Sequence, residues 1–329
     1  MSDRIRKWAY AGLLFVGFAW AIGPVTIRLL KDTYDPYTLA LVRYIPAVIP
    51  LLAYSLIFHR DGLKASLKIS KALVPLSILN VLMLMTWTIA CYDTPAVTAQ
   101  LVVKVSVIFV VVLSFVLFRE ERRVIREPGY ILGTLISFIG VAIVLTEGRM
   151  SLSLLLEGST FLIIFTAGLW AFYAISMKHL VTNIHPVPLF TVLASYAMVG
   201  ILVSAIVFGD LSTIAHTDVQ SAGIVFISGF VPIALAHPVY HFAQKHLGSA
   251  LCSSWTLLNP FLTFVVSLVV LPDETLGLIP LLGGCILIAG TLWVTSVSNK
   301  VGAAHDSINA VGVGTPAKLA SVGAAARKE

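Results

Sequence analysis

Charge is what this chain has least of: only 12% of its 329 residues are Asp, Glu, Lys or Arg, about half the share in an ordinary soluble domain. The hydrophobic content of 58% is more apolar surface than one water-facing core can hide. A soluble enzyme or binding module is thereby excluded, and lipid becomes the expected solvent. Cysteine is also scarce. Cys91, Cys252 and Cys285 are odd in number, lie inside apolar stretches and lack metal-ligand spacing, so neither a disulfide framework nor a metal site follows. The sequence has no phosphate-binding Gly-Lys-Ser/Thr loop, no His-Glu-x-x-His zinc motif and no nucleophile elbow, the usual signatures of nucleotide, zinc or acyl-transfer chemistry. No cofactor is expected, and any work across a membrane would draw on a gradient or run downhill.

Long apolar runs are what the chain has instead. Read for windows bounded by charge, Pro or Gly, it predicts ten spans: 8–29, 36–58, 72–92, 95–118, 128–146, 158–177, 186–208, 219–243, 247–271 and 275–297. Each is near the roughly 20 residues an α-helix needs to cross a hydrocarbon core. Pro24, Pro46, Pro50, Pro232, Pro238 and Pro260 fall inside these runs, where neighbouring helices can satisfy the freed carbonyls, so kinks are expected and not ends.

The net charge of +6 is carried in short segments between the runs, which points to membrane orientation and away from nucleic acid. One set of segments holds Arg4, Arg6 and Lys7; Arg60, Lys64, Lys68 and Lys71; Arg119, Arg122, Arg123 and Arg126; Lys178; and Lys245. The other holds little beyond Arg28, Lys31 and Arg149. The excess of Lys and Arg on cytoplasmic loops places both termini inside, in a multi-pass protein of the plasma or inner membrane. Residues 1–7 are then a cytoplasmic N-terminus. Residues 299–329, rich in Gly, Ala and Ser, are expected to be a disordered cytoplasmic tail.

The chain repeats itself. Shifted by 150 positions, Trp20-Ala21 falls on Trp170-Ala171, Thr26 on Ser176, Arg28 on Lys178, Pro36 on Pro186, Gly133 on Gly283 and Gly140 on Gly290. Shifted by 153, Trp87 falls on Tyr240, Ala90 on Ala243, and Glu120-Glu121 on Asp273-Glu274. Two units follow, 8–148 and 149–298. Each holds five helices, an odd number, so the second enters the membrane with the opposite orientation. The predicted fold is all-α and integral to the membrane: ten transmembrane helices as two inverted five-helix repeats, a recurring plan among secondary transporters.

Trp20-Ala21-Ile22-Gly23 with a basic residue closing the first helix, Arg43 early in the second, Asn259-Pro260 in the ninth, acidic pairs after the fourth and ninth, and the Gly133/Gly140 and Gly283/Gly290 spacing resemble the EamA-like branch of the drug/metabolite transporter superfamily. The resemblance spans about residues 8–297. It implies a permease that moves a small metabolite, often an amino acid or related compound and often outward. One departure is visible: the place aligned with Asn259-Pro260 is Ser106-Val107, so the fourth span lacks the proline of the ninth.

Polar residues deep in apolar helices are the candidate site, because a charge at the bilayer centre costs about 3 kcal/mol on insertion scales. Lys104 lies some nine residues into its span, roughly 13 Å along the helix, with Gln100 one turn before it. It is a candidate to attract a substrate carboxylate or to exchange a proton, or else it is a structural ammonium capped by carbonyls or a buried acid. Arg43 is a second candidate contact, or else a helix tether. Trp20 and Trp170 hold equivalent places in the two repeats and either line a cavity or pack helices together. His237 and His241 share a helix face beside Tyr240, which suits a proton relay or a structural role. Asn259 is a candidate to offer its amide beside the carbonyls that Pro260 leaves free. Asn80 is a second buried amide, and the glycines suit close helix packing.

The leading expectation is a secondary transporter for a small metabolite, not an enzyme. A membrane enzyme acting on a lipid-linked substrate, or a channel, is the alternative. The enzyme would need His237, His241 and Lys104 grouped with an acid near one interface. The sequence sets no oligomeric state.

Overall fold

The computed structural model describes residues 3–146, 158–271 and 278–312. Every regular element among them is helical. The first repeat comprises α1 (Asp3–Leu30), α2 (Pro36–Phe58), a short surface helix α3 (Arg60–Lys68), α4 (Ser70–Asp93), α5 (Ala96–Val102), α6 (Val105–Leu117), α7 (Arg119–Ile125) and α8 (Pro128–Thr146). The second comprises α9 (Gly158–Val181), α10 (Pro186–Phe208), α11 (Val219–Gly229), α12 (Ala236–Leu247), α13 (Ser249–Trp255), α14 (Asn259–Val270) and α15 (Leu278–Gly312). Among the described residues nine helices are long and apolar enough to cross a membrane. The shorter apolar stretch Pro128–Gly140 within α8 belongs to the tenth. Large side chains left exposed on the spans, such as Ile57, Ile206 and Val269, are apolar, as lipid requires.

Local chemistry sets many of the boundaries. The Asp35 carboxylate caps α2 by accepting from the Tyr37 and Thr38 amides at 2.9 and 3.0 Å, and it also accepts from the Asp210 amide at 2.9 Å. Partial burial works to raise the Asp35 pKa, but the hydrogen bonds from Asp210, Thr38 and Tyr37 outweigh it and hold the carboxyl below its usual value. His185, 150 positions later, caps α10 in the same way, its Nδ1 accepting from the Val187 amide. Pro24, Pro46 and Pro50 sit inside continuous helices. Pro232 lies in a π-helical turn, Phe230–Leu235, that joins α11 to α12 as one span.

Two differences from the sequence reading stand out. The fourth span is broken although no proline lies at the break: α5 stops at Val102 and α6 starts at Val105. Its aligned partner is broken at the matching place, where the 3-10 turn Thr256–Leu258 separates α13 from α14. The other difference is at the C-terminus. Helix α15 runs to Gly312, past the expected boundary at 298, because Ala303, Ala304 and Ala310 are strong helix formers and no proline intervenes before Pro316. Residues 313–329 of the expected tail lie outside the described residues.

Helices α8 and α15, the last of each repeat, pack on each other through their glycines. A Cβ added at Gly140 would stand 2.7 Å from the Gly283 carbonyl oxygen, and one at Gly290 would stand 2.7 Å from that of Gly133. Backbone meets backbone there, which is the close approach that small residues permit between membrane helices.

Candidate functional site

The two helix breaks face each other near mid-span. In the first, Lys104 N–H bonds to Leu101 O at 3.0 Å, Ser106 N–H to Val103 O at 3.0 Å, and Val107 N–H to Lys104 O at 2.9 Å. These i to i−3 bonds tighten the backbone and set Lys104 at the junction. In the second, Asn259 opens α14 with Pro260 at its first turn, where a missing amide costs least. Shifted by 153, Lys104 corresponds to Leu257 and Ser106 to Asn259, so the junctions match in place and differ in chemistry.

Between them lies a cavity of about 160 Å³. Both repeats line it: Trp20, Arg43, Trp87, Gln100 and Lys104 from the first, and Trp170, His237 and Asn259 from the second. The structure thus gathers Lys104, Arg43, Trp20, Trp170, Asn259 and His237 around one space.

Its polar groups are poorly partnered within the protein. The Lys104 side chain is 5% exposed and makes no hydrogen bond or ion pair among the described residues. Arg43, 4% exposed, donates through Nε to Ser228 Oγ at 3.1 Å and through Nη2 to Ser228 O at 3.3 Å. That ties α2 to α11, and Nη1 is left buried without a partner. Asn259 Oδ1 and His237 Nδ1 are likewise buried and unpartnered. Among the described residues no acid lines the cavity. Buried polar atoms are nearly always satisfied, so these three unpartnered atoms, all on residues that line the cavity, are exceptions.

Aromatic rings form one wall. Trp20 and Trp170, equivalent in the repeat, meet edge to face with centroids 5.1 Å apart. Trp20 also lies 5.0 Å from Tyr240 and 5.3 Å from His237, and its Nε1 donates to Pro232 O at 3.1 Å. The π-helical turn presents that carbonyl. Gln100 Nε2 donates to Trp20 O at 2.9 Å, fixing α5 against α1. Both tryptophans therefore line the cavity and pack helices, and the two readings of them coexist.

The histidines part company. His237 stacks on Phe190 at 4.9 Å and borders the cavity. His241 sits behind it, buried, between Tyr173 OH at 3.2 Å from Nε2 and Gln244 Oε1 at 3.0 Å from Nδ1. The Gln244 amide nitrogen donates to Ala174 O at 2.9 Å, so its oxygen faces His241 and accepts from Nδ1–H. Asn80 bonds to Tyr44 OH and is not in the cavity. Among the described residues no group of three or more His, Cys, Asp or Glu could hold a metal ion.

A second polar cluster escaped the sequence reading. At the membrane end that carries the N-terminus, the Glu121 carboxylate accepts from the Ser249 and Ala250 amides at 2.8 Å each, and Lys178 Nζ lies 3.5 Å from it. It joins the end of the first repeat's fourth span to the start of the second repeat's. The acidic pair after the fourth span and the equivalence of Arg28 with Lys178 were the available signals, but nothing local links residues 121, 178 and 249.

The sequence profile of the EamA-like transporter family matches residues 7–146 and again 158–296. An uncharacterized transporter of Bacillus subtilis (strain 168), YyaM, is 21% identical over 295 residues, covering 87% of this chain and 93% of its own length. A crystal structure of another protein shares the fold with a TM-score of 0.68 at 14% identity, covering 89% of this chain and 99% of that one.

Proposed function

The chain belongs to the EamA-like transporter family, and on that premise we propose that it is a secondary transporter whose small-metabolite cargo passes through the cavity between the repeats by alternating access. The observation that carries this reading is the pair of helix breaks at matching positions, with a cavity between them lined from both repeats. Inverted repeats with discontinuous helices at the membrane midplane suit two exchangeable packings around one site. In this reading the Lys104 ammonium and the free Arg43 nitrogen hold an anionic group of the cargo. Trp20 and Trp170 cover its apolar part, and Asn259 offers an amide. We place both termini in the cytoplasm of a cell whose plasma or inner membrane holds the protein, with net export as the direction.

Flux in proteoliposomes across a metabolite panel tests the reading. A solute whose saturable movement depends on the protein, and fails with Lys104→Met, is expected. Absence of any protein-dependent flux would end the proposal, and steady single-channel currents would favour a pore.

The unpartnered Nδ1 of His237 favours a second, compatible reading in which His237 and Lys104 exchange protons with the coupling gradient. His241, held by Tyr173 and Gln244, then positions the helix. A pH gradient imposed on the same vesicles should accelerate flux; equal rates with and without it would exclude proton coupling.

A further inference from the structure

We infer that the cargo is a net anion with a flat apolar body, an aryl or indolyl carboxylate without a free ammonium, and not a zwitterionic amino acid. The inference rests on the transport reading above and names the substrate class of the same cavity.

Two cations line this space, and among the described residues nothing of opposite charge does. Among the described residues Lys104 has no partner, and Arg43 keeps one nitrogen unpaired. The 16 acidic residues of the chain fall outside the middles of the apolar runs, and among the described residues none lines the cavity with Lys104. A buried cation is tolerated when it meets a counter-charge, and here the cargo is the available source. An amino acid would bring a carboxylate for the cations but also an ammonium. That ammonium would stand near two like charges and find only neutral acceptors, such as Asn259 Oδ1.

The remaining groups describe the body of the cargo. Indoles of Trp20, Trp87 and Trp170 border the cavity, with His237 held flat on Phe190 beside them. Flat faces of this kind favour a planar apolar partner. Asn259 lines the cavity and its Oδ1 has no partner, so a modest turn of the amide would let it accept one neutral N–H or O–H, which an indole nitrogen or a phenol supplies. The cations all come from the first repeat and the free amide oxygen from the second, so the cargo would lie across the pseudo-twofold axis in one orientation.

Indole-3-propionate, tryptophan and tryptamine share one ring system and differ in net charge, which makes them the probes. Purified protein is titrated with each in a thermal-shift assay, and each is tested for flux in proteoliposomes. Indole-3-propionate should bind at least about tenfold more tightly than tryptophan, and tryptamine more weakly still. Lys104→Met should remove that preference, and Lys104→Arg should keep it. Because Arg43→Gln also breaks the bond to Ser228, Lys104→Met is the deciding variant.

Tryptophan binding as tightly as the propionate, no binding by any of the three, or an anion preference unchanged in Lys104→Met would each overturn the inference. Hexanoate binding as well as the indole acid would overturn the flat body. Protein-dependent flux of other solutes, with no anion preference, would sink the cargo class and leave the transporter standing. Anion binding without any flux would do the reverse.

Discussion

Lys104 places an ammonium at mid-span with no acid beside it among the described residues, and this has a measurable consequence for the empty protein. Lys104→Met should stabilise the fold by up to about 3 kcal/mol, the insertion cost of the charge, and raise the melting temperature of purified protein while abolishing cargo-induced stabilisation. A lower melting temperature in Lys104→Met would mean that the lysine serves the fold. The sequence made Lys104, Arg43, His237 and Asn259 legible as candidates because polar groups in apolar helices are costly and therefore conspicuous. It did not tell which of them face the same space. His241 is one helical turn from His237, yet it turns toward Tyr173 and Gln244, and Asn80 turns toward Tyr44. Those assignments depend on partners more than 35 positions away in all but one case, beyond the reach of local pattern.

At the scale of elements, the membrane itself made the helices readable, since each must fill the hydrocarbon thickness with about 20 apolar residues. The break in the fourth span was not readable, because no proline or glycine marks Val103 and Lys104. It arises where α5 is pinned to α1 by Gln100 and the chain borders a cavity, so the usual intrahelical bonds give way to tighter turns. The α8/α15 pair was readable from its glycines, and it yields a sharp test. A Cβ at Gly140 would come within 2.7 Å of the Gly283 carbonyl oxygen, whereas one at Gly168 meets nothing within 4 Å. Gly140→Ala should therefore cost about 1–3 kcal/mol, seen as a lower melting temperature. Gly168→Ala should be neutral or slightly stabilising, as expected for a helix-interior glycine. Equal effects of the two substitutions would show that α8 and α15 do not depend on backbone contact.

Taken whole, the molecule is symmetric in its frame and asymmetric in its chemistry. The repeats place two broken helices face to face, but the cations stand in one repeat and the free amide in the other. The alternating access proposed above would ask such a frame to untie one end while the cavity is reached from it. The Glu121 carboxylate, which accepts from Ser249 and Ala250 and pairs with Lys178, is the tie at the end that carries the N-terminus. It holds the start of α13, and Cys252 lies three residues on, fully buried. Glu121→Gln keeps the size of the side chain but removes the charge that Lys178 and two amides share. The variant should spend more time untied, and Cys252 should react with N-ethylmaleimide several-fold faster, by about tenfold if the tie is worth roughly 1.4 kcal/mol. The measurement belongs in a Cys91→Ser, Cys285→Ser background, so that Cys252 is the sole thiol. Bound cargo should change the Cys252 rate in that same background with Glu121 retained, because a ligand that prefers one packing shifts the population. A Cys252 rate unmoved by both Glu121→Gln and cargo would mean that this end does not open during transport, and the tie would then be a fixed brace.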